Sequence, residues 1–203
     1  MPKPIISIDI DDVLADTTER LRIWANEQSN CGLSRDHYMI DSEYWGFYEE
    51  VWRQAGIEHL IDFSQFEDAM RRDQSSIAMI TRAKETLHRF SDKYRYVLIT
   101  SRDESQKEAT IRWIEARFGP IFEGLYFTGN RHSDGYKNKG ELCANLGASL
   151  HIDDNPQHCK STVSHGVGAI LFGYYGWNQS SQPHLTRCHD WSEVGEYLER
   201  TKF

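Results

Sequence analysis

Ile5-Ile6-Ser7-Ile8-Asp9-Ile10-Asp11-Asp12-Val13-Leu14 is the stretch whose reading decides the fold. Its apolar, β-branched run carries the backbone into a packed sheet, and three carboxylates follow at once. Like charges at the end of a buried strand repel one another unless a cation or a bound proton offsets them. A strand ending in Asp-x-Asp is therefore a candidate seat for Mg²⁺ and for chemistry. The competing reading is a strand that runs out into an acidic, solvated turn, and that needs no function.

Working outward, 203 residues with 39% hydrophobic and 27% charged content form an ordinary globular chain. The length suits one domain, or a domain with a smaller insert. A formal net charge of −8 argues against binding extended nucleic acid, which is held by Lys and Arg. A small phosphorylated substrate needs only a local positive site. No secretory signal and no membrane-spanning run is read in the sequence. Cys31, Cys143, Cys159 and Cys188 are scattered without a Cys-x-x-Cys pair, so reduced thiols and a cytoplasmic location are expected. His151, near a strand end, reads as structural. Nothing in the chain sets an oligomeric state.

Residues 5–10 read as a buried strand. Residues 17–28 read as a helix opened by Asp16 or Thr17 as N-cap. From Cys31 to about Gln74 the chain is rich in aromatics, with short helical patterns and no convincing strand. Residues 16–75 are thus expected to form a small, mainly helical cap inserted after the first strand, on a core of residues 1–15 and 76–203. An alternating pattern follows: helix 80–90, strand 94–100, helix 104–118 stopped by Gly119-Pro120, strand 124–128, helix 139–146, strand 149–152, helix 156–163. Strand 168–172 is read as the last one, before a Gly/Tyr-rich loop and a terminal helix over 192–200. Such alternation predicts an α/β, Rossmann-like parallel sheet with helices on both faces.

Ligands gather at the carboxyl ends of such strands. Those ends collect Asp9-Ile10-Asp11-Asp12, then Thr100-Ser101-Arg102, then a loop with Arg131, Lys137 and Lys139, then Asp153-Asp154. Carboxylates, hydroxyls, a lysine and a late acidic pair are an inventory for moving a phosphoryl group.

This ordered set resembles the haloacid dehalogenase-like superfamily, whose motifs are a strand-end Asp-x-Asp, a Thr or Ser, a Lys and a late acidic pair. They stand here as Asp9/Asp11, Thr100, Lys139 or Lys137, and Asp153/Asp154. Asp9-Ile-Asp-Asp-Val-Leu-Ala-Asp16 with Ile152-Asp-Asp-Asn-Pro156 looks closest to the 5'(3')-deoxyribonucleotidase branch. The resemblance covers residues 5–16 and about 80–172. It implies a phosphomonoesterase acting on a nucleotide or another small phosphate ester. Asp9 would be the nucleophile that carries an aspartyl-phosphate, and Asp11 the acid and base. Thr100 would bind a phosphate oxygen, and Lys139 would balance charge. Mg²⁺ would be held by Asp9, the Asp11 carbonyl and Asp154, with Asp153 a ligand through water or a partner of Lys139. Asp11 favours phosphatase over dehalogenase, because a phosphate ester's leaving oxygen needs an acid. Position 12 departs from the branch: it is Asp where Gly is usual, and the extra carboxylate either sits outward in the turn or alters the site's charge.

Weaker signals carry their plain alternatives. Ser101 and Arg102 are candidates for binding substrate, and so is Lys137; an Arg after a strand serves equally as a structural ion-pair partner. Tyr44, Trp45, Phe47, Tyr48 and Trp52 could stack on a base, but their spacing fits the insert's own core better. Three rival functions remain open: a phospho-switch module, a catalytically silent binding protein of the same fold, and a phosphatase acting at a nucleic-acid 3' end, the last disfavoured by the acidic balance. The order of the acidic groups disfavours the first. The intact residue set disfavours the second.

Overall fold

The computed structural model describes residues 2–129, 137–180 and 182–201. Six strands lie side by side, all parallel: β1 (Ile5–Ile8), β2 (Arg95–Thr100), β3 (Phe122–Phe127), β4 (Ala148–Asp153), β5 (Gly168–Phe172) and β6 (Thr186–Cys188). Their order across the sheet is β3-β2-β1-β4-β5-β6. Chain order reverses between β1 and β4, so the crevice at a parallel sheet's switch point opens beside Asp9 and Asp153.

Helices alternate with the later strands: α1 (Thr17–Ser29), α2 (Phe47–Gln54), α3 (Phe63–Arg72), α4 (Ala83–Phe90), α5 (Lys107–Phe118), α6 (Lys139–Asn145), α7 (Pro156–Ser164) and α8 (Trp191–Arg200). The central strands are buried on both faces, mostly by apolar side chains, with Ser7, His151 and Asp153 the buried polar exceptions in β1 and β4. Ile6, Ile8, Leu98, Leu150, Ile152 and Ile170 are fully buried. Among the described residues, no helix is long and apolar enough to cross a membrane.

Several local expectations are corrected. β1 stops at Ile8, because the Ile10 carbonyl accepts from Val13, Leu14 and Ala15 and turns the chain. Asp16 occupies the N-cap position of α1 but makes no capping bond; its carboxylate pairs with Arg35 at 3.1 Å. Asp12 supplies the missing acceptor instead, taking the Thr18 backbone N–H at 3.0 Å and its hydroxyl at 2.7 Å. α4 begins at Ala83 rather than 80, since Arg82 adopts φ +66°, a left-handed conformation that a right-handed helix cannot run through. The helix expected over 104–118 is a 3₁₀ turn, Glu104–Gln106, capped by Asp103, followed by α5. β5 is not the last strand: β6 pairs with it along Ile170–Phe172.

The chain leaves the sheet after β1 and returns at α4 through two neighbouring passes. Asp16 N–H bonds the Ala78 carbonyl at 2.9 Å, and Ala15 bridges Met79. Between these passes lie α1, α2, α3 and short 3₁₀ turns, with no named strand. Trp24, Trp52, Phe66 and Met70 are buried there, and Trp52 donates to the Tyr38 hydroxyl at 3.0 Å.

Candidate active site

The ends of β1 and β4 meet because these strands pair directly, and the Asp9 N–H still bonds the Ile152 carbonyl at 2.9 Å. Asp9, Asp153 and Asp154 are buried, and one carboxylate oxygen from each lies within 4.8 Å of the others. Lys139 reaches between them from the first turn of α6, with Nζ 2.9 Å from Asp9 Oδ1 and 2.8 Å from Asp153 Oδ2. Its depth depends on Gly140: a Cβ there would fall 2.5 Å from the Ser161 carbonyl, so only glycine lets α6 approach α7 this closely. Of the two candidate lysines, Lys139 is the one that meets these carboxylates; Lys137 is exposed, and its backbone N–H bonds the Thr128 carbonyl. Arg131 lies outside the described residues.

The three carboxylates are not equivalent. Asp153 accepts from Lys139, from the Asn155 N–H at 2.8 Å, from His151 Nε2 at 3.0 Å and from His158 Nδ1 at 3.2 Å. Its ion pair with Lys139 is formed at 2.8 Å, and it also belongs to the trio of carboxylates that could hold a metal ion. Burial works to raise its pKa, yet Lys139, His158 and the hydrogen bonds hold it well below the usual range. Burial, with Asp153 and Asp11 adding, lifts Asp9 to about 7 against the pull of Lys139. Burial and the neighbouring carboxylates Asp153, Asp9 and Asp12 push Asp154 well above the ordinary value.

Among the described residues Asp154 Oδ1 is buried without a hydrogen-bond partner, while Asp9 Oδ1 is met by the Lys139 ammonium. An unpartnered buried carboxylate oxygen grouped with two further carboxylates is what a hard divalent cation would complete. The oxygen-only donor set suits Mg²⁺.

Asp11 is not one of this trio. Arg102 grips it as a fork, at 2.7 and 2.9 Å, and Thr17 donates at 2.5 Å. Burial opposes ionisation of Asp11, but the Arg102 charge and these hydrogen bonds hold its pKa below the ordinary value. Arg102 is itself buried and also donates to Gln74 at 2.6 Å and Thr110 at 3.0 Å. Thr100 is buried at the end of β2, and the buried Ser101 Oγ has no hydrogen-bond partner among the described residues.

A cavity of about 230 Å³ opens from Asp11, Ser101 and Arg102 toward the segment between β1 and α4, walled by Tyr44, Trp45, Tyr48 and Phe63. Tyr48 and Phe63 stack at 4.2 Å between centroids. The aromatics thus divide: Trp52 serves the packing of its own segment, while Tyr44, Trp45, Phe47 and Tyr48 face the cavity. Asp12 turns inward, at 6% exposure, and adopts φ +55°, the left-handed region that favours Gly. Sequence reading missed His158 and the role of the loop after β5, whereas His151, read as structural, is a support beneath Asp153. The His151-x-Asp153 spacing was the available signal, since alternate residues of a strand share a face.

A six-stranded parallel sheet with carboxylates at the ends of β1 and β4 and a buried lysine between them has the form of a haloacid dehalogenase-like hydrolase. Solved structures agree on the fold. A haloacid dehalogenase-like hydrolase from Streptococcus pneumoniae superposes with a TM-score of 0.60 at 12% identity, covering 97% of this chain and 98% of that one. A candidate HAD-hydrolase from Bacillus subtilis, solved bound to magnesium, gives 0.64 at 14% identity, covering 98% and 100%. The chain belongs to the family described as "5' nucleotidase, deoxy (Pyrimidine), cytosolic type C protein", whose family model matches residues 3–203. It is 24% identical over 203 residues to a candidate 5'(3')-deoxyribonucleotidase of Chlorobaculum tepidum, covering 96% of this chain and 89% of the relative. It is accordingly a phosphatase of the nucleotidase type.

Proposed function

We propose that this enzyme is a Mg²⁺-dependent phosphomonoesterase of nucleoside monophosphates, with pyrimidine deoxynucleotides the class to test first. The observation that carries the reading is the buried triangle of Asp9, Asp153 and Asp154 with Lys139 against it, beside an aromatic-walled cavity. The substrate class is suggested by the family description and by the relative from Chlorobaculum tepidum. Residues 16–75 act as the cap that closes over the site and selects the leaving group. The four unpaired cysteines support a reducing, cytoplasmic setting.

Mg²⁺, held by Asp9, Asp154 and the Asp11 carbonyl, would draw charge from the phosphate and align it for attack. Asp9 attacks phosphorus, the bond to the leaving oxygen breaks, and the phosphoryl group passes to the Asp9 carboxylate. Asp11 must first take up a proton from solvent, as the Arg102 fork loosens and the phosphate dianion enters beside it, and it then gives that proton to the leaving oxygen. Asp11 then takes a proton from the water that attacks the aspartyl-phosphate, releasing phosphate and restoring Asp9. Thr100 and Ser101 donate to phosphate oxygens. Lys139 keeps Asp9 from repelling the dianion.

A phosphate-release screen over nucleoside monophosphates, sugar phosphates and phospho-amino acids, with and without Mg²⁺, tests this reading. Release should require the cation and favour nucleotides. Equal release from sugar phosphates would overturn the substrate class, and full activity in chelator would overturn the metal.

A further inference from the structure

The loop between β5 and β6, residues 173–179, touches three parts of the site at once. The Trp177 indole N–H donates to Asp154 Oδ2 at 2.7 Å. Asn178 Nδ2 donates to the Asp154 carbonyl and to the Phe172 carbonyl, each at 2.9 Å. The Tyr175 hydroxyl donates to the Asp12 carbonyl at 2.6 Å, and its ring stacks on Trp177 at 4.9 Å with only 5° between planes. The other neighbours of Trp177 are cavity-lining rings from the segment after β1: Phe47 at 4.5 Å and Tyr44 at 5.6 Å. Arg187 of β6 braces the loop through the Gly173 carbonyl at 2.8 Å and the Asn178 carbonyl.

We infer that Trp177 is a positioning residue for the cation site: its N–H fixes one oxygen of Asp154 so that the other, Oδ1, faces Asp9. This deepens the function proposed above and rests on its cation site. A carboxylate with one oxygen pinned and one buried and unpaired has a single way to present a ligand atom. Without the pin, the group can rotate about its terminal bond, and that freedom must be given up when a cation binds. Groups that orient ligands in this way are worth 10–100-fold in metal affinity. The plain alternative is that Trp177 only fills space between Tyr175, Phe47 and Tyr44.

Trp177→Phe separates the two, because it keeps a flat ring and deletes the donor. Calorimetric titration of the substrate-free protein with Mg²⁺ is the measurement. The wild type should bind, and Trp177→Phe should bind about tenfold more weakly or worse. The Mg²⁺ concentration needed for half-maximal activity should rise by the same factor, while the KM for nucleotide at saturating Mg²⁺ moves little. A space-filling role would leave Mg²⁺ affinity unchanged, and that result overturns the inference. No binding by the wild type would instead overturn the cation site itself. Should Trp177→Phe fail to fold, the ¹⁵N-indole resonance of Trp177 in the wild type decides: it should shift on saturation with Mg²⁺, and a fixed resonance refutes the role.

Discussion

Asp12→Asn should make the protein more stable at pH 8 than the wild type and leave the two nearly equal at pH 4. Asp12 is buried, with its carboxylate against Thr18 at the start of α1. Burial, with Asp11 and Asp16 adding, raises its pKa from 3.8 to about 7 despite the Thr18 hydrogen bonds. A carboxyl whose folded pKa lies above its unfolded value binds its proton more tightly when folded. The associated stability is complete below the unfolded pKa and is lost as pH rises through the folded one. The window is therefore about pH 4 to 7. At roughly 1.4 kcal/mol per pH unit, the ceiling on the loss is on the order of 4 kcal/mol. Asparagine retains both contacts: its oxygen accepts from the Thr18 N–H, and its amide donates to a hydroxyl that can turn to accept. It also tolerates the left-handed backbone at this position. Urea unfolding of both proteins in chelator, at several pH values from 4 to 8, reads the difference directly. Parallel pH profiles would show that the Asp12 carboxylate carries no such penalty and refute the reasoning.

Three further outcomes are expected. Lys139→Met should cut kcat by roughly 10²–10³-fold, as loss of a preorganised charge at the reacting group does; steady-state kinetics at saturating Mg²⁺ would expose a smaller effect. Arg102→Met should destabilise the fold by about 3 kcal/mol in urea, because Asp11 is left without its bidentate partner and Gln74 and Thr110 lose a donor. Phe63→Ala should raise the nucleotide KM about tenfold, since stacking is worth ~1–3 kcal/mol per base. Hydrolysis of glycerol phosphate should change much less, and equal effects on both substrates would deny the cavity its role.

The strands were legible wherever burial left an apolar run, as at Tyr96–Ile99, or apolar residues at alternate positions, as at Leu150 and Ile152. That is why the ends of β1, β2 and β4, and with them Asp9, Thr100 and Asp153, could be found from sequence. β6 was not legible, because three residues, Thr-Arg-Cys, carry no periodicity; the strand exists through its ladder with β5. Choosing between Lys137 and Lys139 required the third dimension, namely the approach of α6 to α7 that Gly140 permits. Sequence raised the extra carboxylate of Asp12 but not its direction, which follows from a positive φ and a helix start in need of an acceptor. Arg102 was read as either a phosphate binder or an ion-pair partner; it forms a fork around Asp11 and also lines the cavity. Trp177 passed unnoticed within a Gly/Tyr-rich loop, for nothing local ties residue 177 to residue 154.

Acid quenching during turnover of a radiolabelled nucleotide, followed by mapping of the labelled peptide, goes to the heart of the mechanism. The account predicts one phosphoryl group on the side chain of Asp9, dependent on Mg²⁺ and absent from Asp9→Asn. Label on His158 or any other residue, or hydrolysis by Asp9→Asn at the wild-type rate, would contradict it.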